Sequence, residues 1–237
     1  MTFMFVFAHP DDETVACAGT ISQLVMQGHK VVVISVTDGS TGQTTKLVKK
    51  VLTEKYDGDL GLLRKAEFES VCNHLGVTHA QLLDFKDGQI TNEQVWGKLT
   101  TTIVTLIDQH QSEVVITFDH SGWYYHLDHV GVSIATTLAF HQTKSPQLLL
   151  FSNFQPQQNR WQYVFPDPTL STHQVVVEDF EHKLKALQIH ESQDLEVVKQ
   201  HILSQSPHVE NYQLAFFKDN TNDLIEKIRT IFQVISK

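Results

Sequence analysis

Ala8-His9-Pro10-Asp11-Asp12-Glu13 places an imidazole and three carboxyl groups directly after the apolar run Phe3-Met4-Phe5-Val6-Phe7. A short apolar run ended by proline reads as a buried strand, and open α/β sheets bind ligands just beyond the carboxyl ends of their strands. His9 and Asp12 suit a borderline metal such as zinc, which leaves Asp11 between them as a candidate base. By composition alone, Pro10-Asp11-Asp12 also suits a surface turn. A turn rarely gathers so many ionisable groups at the mouth of a buried strand, so the metal reading carries more weight.

A second cluster, Asp119-His120-Ser121-Gly122-Trp123-Tyr124-Tyr125-His126-Leu127-Asp128-His129, follows another apolar run, Glu113-Val114-Val115-Ile116-Thr117-Phe118. Histidine spacing alone is weak evidence in a chain with 14 histidines. Position strengthens it, because a parallel sheet brings strand ends to one edge. Three protein ligands plus water make a catalytic zinc site, whereas a structural zinc is closed by four. His9, Asp12 and one histidine of the second cluster would fill those three places. A free carboxylate could then take a proton from water and an imidazole could protonate a leaving amine. Asp128 is expected to orient His126 and raise its pKa.

The elements that must hold these clusters alternate. Strands are expected at 2–8, 30–36, 80–85, 113–118 and 147–152, with helices at 14–27, 61–75, 92–110 and 129–142. That alternation predicts an α/β fold: a Rossmann-like, doubly wound, mostly parallel sheet with helices on both faces. Residues 40–58 read as a loop or lid, and 153–173 as a long connection. Beyond it a strand (174–178), helices (180–190, 194–203), a strand (212–217) and a last helix (222–235) are expected. The whole chain, 1–237, reads as one domain, a core over 1–152 completed by an extension over 153–237.

Composition narrows the function. A formal charge of −9 argues against a nucleic-acid binder. The two cysteines, Cys17 and Cys72, make neither a disulfide framework nor a metal site. No apolar stretch is long enough for stable membrane insertion, and the first residues lack a signal peptide's basic region and cleavage site. The expectation is a cytoplasmic protein, with a homo-oligomer compatible.

Taken together, Ala8–Glu13 and His126-Leu127-Asp128-His129 resemble the motifs of the PIG-L/LmbE-like zinc-dependent de-N-acetylases. Thr37-Asp38-Gly39, Arg64-Lys65-Ala66-Glu67 with Leu75-Gly76-Val77, Phe85-Lys86-Asp87-Gly88, and Lys185-Ala186-Leu187 with His190-Glu191-Ser192-Gln193 resemble further blocks in the same order. The resemblance implies one zinc ion on His9, Asp12 and His129, with Asp11 as general base. It implies His126 as acid or oxyanion stabiliser oriented by Asp128, Tyr124 near the carbonyl oxygen, and sugar contacts from Arg64 and Asp87. Leu127 stands where the family usually has proline, which bears on loop rigidity more than on chemistry. The implied substrate is a small N-acetylglucosamine-type amino sugar.

Rival readings lack parts. A phospho-acceptor receiver domain needs a lysine after its fifth strand, and Leu148-Leu149-Leu150-Phe151-Ser152 is followed by none. A Rossmann nucleotide binder needs a glycine fingerprint in its first turn, which is absent. An amidase of a thiol-sugar conjugate, or a non-catalytic metal- or sugar-binding protein, remains as the alternative. The residues leave the roles of Glu13, Trp123, His120 and His190 open.

Overall fold

The computed structural model describes residues 1–44, 46–154, 171–218 and 222–234. In chain order the elements are β1 (Thr2–Phe7), α1 (Asp12–Met26), β2 (Lys30–Thr37), α2 (Lys46–Lys55), α3 (Leu60–His74), β3 (His79–Phe85), α4 (Glu93–His110) and β4 (Val114–Phe118). There follow α5 (Gly122–Tyr125), α6 (Leu127–Gln142), β5 (Leu148–Asn153), β6 (His173–Val176), α7 (Phe180–Ile189), α8 (Glu196–Leu203), β7 (Val209–Phe217), α9 (Asn222–Ile228) and β8 (Gln233–Val234).

The strands form one sheet in the order β3-β2-β1-β4-β5-β7-β6-β8. β3, β2, β1, β4 and β5 run parallel, and β7 joins antiparallel to β5. β1 lies in the middle, and Phe3 through Phe7 are all fully buried. Its apolar sequence is continuous because both of its faces are covered by helices. The chain order reverses between β1 and β4, and a crevice opens at such a switch point. The doubly wound, mostly parallel fold read from the sequence is therefore the observed one.

Two expectations need correction, and one element was not foreseen. Residues 40–58 are not all loop, because α2 forms there and buries Val48 and Leu52 against Leu60 and Leu63. The 119–129 segment contains the short α5, with Trp123 and Tyr125 at φ 64° and 61°. The last helix stops at Ile228, and Gln233–Val234 pairs with β6 as an edge strand. Most of the expected 153–173 connection lies outside the described residues. Among the described residues no helix is long and apolar enough to cross a membrane.

Candidate metal centre

β1 delivers His9 and β2 fixes the residue before it, since the Thr37 backbone N–H and hydroxyl both donate to the Ala8 carbonyl, each at 2.9 Å. β4 delivers the second cluster. Asp119 caps the turn after β4 by accepting from Ser121 N–H, the Ser121 hydroxyl and Trp123 N–H at 3.1, 2.7 and 3.2 Å. Gly122 lets this turn lie against α6: at φ 58°, a Cβ there would sit 2.9 Å from His129 Cβ. The Trp123 ring is buried, packs edge-on against Phe118 and donates its indole N–H to the Ser152 carbonyl at 2.9 Å. Trp123 thus supports the loop from beneath instead of presenting a stacking face.

The expected ligands converge. His9 Nδ1 lies 3.3 Å from His129 Nε2, His129 Nε2 lies 3.3 Å from Asp12 Oδ1, and His9 Nδ1 lies 3.4 Å from Asp12 Oδ2. A tetrahedral ion with bonds of ~2.0–2.1 Å has ligand–ligand edges of about 3.3–3.4 Å, which the separation of the two histidine nitrogens matches, while Asp12 meets the two rings with different oxygens, Oδ1 towards His129 and Oδ2 towards His9. His126 is close enough for its ring nitrogen to join His9 and His129 within 4.8 Å. A second grouping within that limit, His9 with Asp87 and Asp128, lies on the opposite edge of the His9 ring. There His9 Nε2 faces Asp87 Oδ1 at 3.1 Å and Asp128 Oδ2 at 3.4 Å. Those carboxylates are already hydrogen-bonded: Asp128 accepts from Gly88 N–H and Ile90 N–H at 2.7 and 3.0 Å, and Asp87 from the Thr41 N–H and hydroxyl, each at 2.7 Å. The Nε2 edge is therefore a hydrogen-bonding edge. An N–H donated there leaves the Nδ1 lone pair directed at Asp12 and His129, the arrangement a metal-ligating histidine needs.

This geometry reassigns several residues. Asp128 does not hydrogen-bond His126; its carboxylate holds the β3–α4 turn and faces His9. His126 Nδ1 has no hydrogen-bond partner. Burial and the neighbouring His129 and His9 push the His126 pKa down to about 4, which favours a neutral ring and, of the two expected roles, the oxyanion stabiliser over the protonated acid. Asp87 and Arg64, read as sugar contacts, are both buried and engaged internally. Arg64 donates to the Gly39 carbonyl at 2.9 Å and to the Pro10 carbonyl, and pairs with Asp11 Oδ2 at 3.1 Å. Gly39, at φ 64°, lacks the Cβ that would fall 2.3 Å from Arg64 Nη1.

Asp11 stands beside the triangle, its side chain 16% exposed. Burial pushes its pKa up to about 6 against the pull of Arg64. Burial also opposes charge on Asp12, yet His129 and His9 hold that carboxyl well below its usual range. At His9, hydrogen bonds to Asp12, Asp128 and Asp87 overcome burial and hold the ring well above its ordinary value. A cation entering this triangle displaces that proton. Tyr124 is half-exposed at the rim, its ring centroid 5.5 Å from that of His129 and 6.1 Å from that of His126.

Two of the undecided residues belong to the layer beneath. Glu13, almost fully buried, accepts from the Thr14 hydroxyl at 2.6 Å and from Asp11 N–H at 3.2 Å, and meets His190 Nε2 at 3.2 Å. His120 turns away, hydrogen-bonding Ser133 at 3.0 Å and packing edge-on against Phe151. The role of Ser192, which stitches its loop to Glu67 through its N–H (2.7 Å) and hydroxyl (2.5 Å), was not legible in the sequence. Both partners stand in the motif blocks, Ser192 in the C-terminal one and Glu67 in Arg64-Lys65-Ala66-Glu67, but nothing along the chain pairs them.

The family model described as PIG-L: GlcNAc-PI de-N-acetylase matches residues 4–140. A 1D-myo-inositol 2-acetamido-2-deoxy-alpha-D-glucopyranoside deacetylase of Thermobifida fusca is 27% identical over 161 residues, covering 61% of this chain and 56% of its own. The chain spans about half the length of the curated relatives it matches. Among solved structures, the 4-carboxy-2-hydroxymuconate hydratase GalB of Pseudomonas putida KT2440 superposes with a TM-score of 0.71 at 14% identity, covering 93% of this chain and 98% of its own. N,N'-diacetylchitobiose deacetylase of Pyrococcus horikoshii superposes with a TM-score of 0.63 at 19% identity, covering 94% and 88%.

Proposed function

The chain belongs to the GlcNAc-PI de-N-acetylase (PIG-L) family, and from that premise we propose that it is a zinc-dependent hydrolase removing the acetyl group from an N-acetylglucosamine-type amino sugar. The observation that carries this reading is the ligand triangle of His9, Asp12 and His129, with Asp11 beside it as a carboxylate not spent on coordination. One zinc ion bound there would supply Lewis-acid polarisation of a water molecule and of the amide carbonyl.

The chain's own groups supply the rest. Asp11 accepts the proton of the attacking water, and Arg64 steers this carboxylate by pairing with Oδ2. His126, neutral at physiological pH, donates a ring N–H to the carbonyl oxygen as charge builds on it. The proton held by Asp11 then passes to the departing amine, which leaves as the free amino sugar while acetate is released. Asp87 and Asp128 act through His9, and Tyr124 lines the entrance.

Fold alone does not choose this chemistry, since a hydratase shares it. The test is direct. Zinc-loaded protein is incubated with 1D-myo-inositol 2-acetamido-2-deoxy-α-D-glucopyranoside and with N,N'-diacetylchitobiose, and acetate and free amine are quantified. Equimolar release of both from at least one compound is expected. No release from either, by protein shown to hold zinc, overturns the amino-sugar reading.

A further inference from the structure

The base sits on a strained backbone. Asp11 has φ 110° and ψ −29°, a conformation that a residue with a Cβ adopts only when its surroundings enforce it. Its carbonyl is fixed by the start of α1, accepting from Thr14 N–H and Val15 N–H at 3.0 and 2.9 Å. Its N–H is held by a side chain, Glu13 Oε2, at 3.2 Å. The other oxygen, Glu13 Oε1, already accepts the Thr14 hydroxyl at 2.6 Å. His190 Nε2 lies 3.2 Å from that oxygen and 3.1 Å from Thr14 Oγ1.

The proton on this ring is assigned by its partners. A carboxylate oxygen accepts only, and the Thr14 hydroxyl has given its hydrogen to Glu13, so Nε2 must be the donor. Nδ1 is buried without a partner, so the ring acts through Nε2 alone, which donates to Glu13 and lies beside the Thr14 hydroxyl oxygen that is itself tied to Glu13. His190 is 1% exposed and closes α7, beyond the 4–140 span of the family model.

We propose that His190 is a positioning residue for the deacetylation proposed above: its Nε2–H fixes the Glu13 carboxylate, which holds the Asp11 peptide in its left-handed conformation and aims the base. The inference rests on that reading of the site. It makes the C-terminal region part of the reaction's machinery, acting through Glu13 without touching substrate.

The test compares His190→Ala, His190→Gln and His190→Asn on the substrate used for the wild type. A glutamine amide nitrogen reaches the place of Nε2, whereas that of asparagine stops near Nδ1. His190→Ala and His190→Asn are expected to lower kcat by about 10²-fold, the scale of a misplaced catalytic group, with KM and zinc content unchanged. His190→Gln is expected to recover most of that loss. Should His190→Ala fail to fold, the Gln and Asn pair decides alone. Equal kcat in these two variants, or a loss that follows zinc content, overturns the proposal. Nitrogen-15 NMR of the wild type gives a readout free of turnover, in which His190 must carry its proton on Nε2. A neutral ring protonated on Nδ1 overturns the positioning role even in an active enzyme. A wild type inactive on both amino sugars, with Nε2 protonated, overturns the deacetylase reading and leaves the Glu13 contact standing as structure.

Discussion

In the proposed reaction Asp11 takes the proton, and burial raises its pKa to about 6 while Arg64 limits the rise. A base works only when deprotonated, so kcat/KM should fall as pH drops through about 6, and lower still where a bound cation depresses the value. Arg64→Gln removes the restraining charge and should move this acid limb to higher pH; an unmoved limb would separate the limb from Asp11. Asp11→Asn should cost ~10²–10⁴-fold in kcat with zinc retained, whereas Asp12→Ala or His129→Ala should lose the ion, as metal analysis would report. With a pKa near 4, His126 supplies no alkaline limb, so His126→Ala should lower kcat without reshaping the profile above pH 5. The ligand types and their spacing were legible in the sequence. The protonation of His126 was not, because it depends on burial and on His9 and His129 arriving from other elements. Asp128 misled for the same reason: sequence proximity suggested His126, while the fold turns the carboxylate to Gly88, Ile90 and His9.

At the scale of elements, the legible parts were those with long apolar periodicity. β1, β2, β4 and β5 were read within a residue or two, as was the helix that brings His129 into place. The missed pieces have weak local signals. α2 is lysine-rich, and its buried Val48 and Leu52 pack on a small separate cluster instead of the main core. α5 is held by Asp119 and by the close packing of Gly122, not by helical propensity. That packing has a consequence. Gly122→Ala puts a side chain at φ 58°, which costs ~1–2 kcal/mol, and drives it into His129 Cβ and Val130 N, each 2.9 Å away. The variant should bind zinc more weakly as well as melt earlier. Gly97→Ala, inside α4 with nothing within 4 Å of the new methyl, should instead stabilise by about 0.4–1 kcal/mol. Unchanged zinc affinity in Gly122→Ala would mean that α5 does not set the position of His129.

Across the whole molecule, described residues after β5 are tied to α1, the helix that begins at the site. Lys183 on α7 reaches Glu210 on β7 at 2.5 Å and the Val15 carbonyl at 3.0 Å. Glu210 also accepts from Gly19 N–H and Thr20 N–H of α1 at 2.9 and 2.7 Å, and from the Thr20 hydroxyl at 2.6 Å. One buried ion pair therefore ties α7 and β7 to α1, the helix that supplies Asp12 and Glu13. The sequence hinted at this only by the brevity of the extension, since neither charge stands near a recognisable partner along the chain. We propose that 153–237 folds as one unit with the core. Lys183→Met should then strand the Glu210 carboxylate and cost ~3–5 kcal/mol of global stability. Urea unfolding followed by tryptophan fluorescence and by far-ultraviolet circular dichroism should give coincident single transitions, both shifted in the variant. Two separated transitions in the wild type, or a loss in Lys183→Met confined to one of them, would mean that the extension folds apart from the site it adjoins.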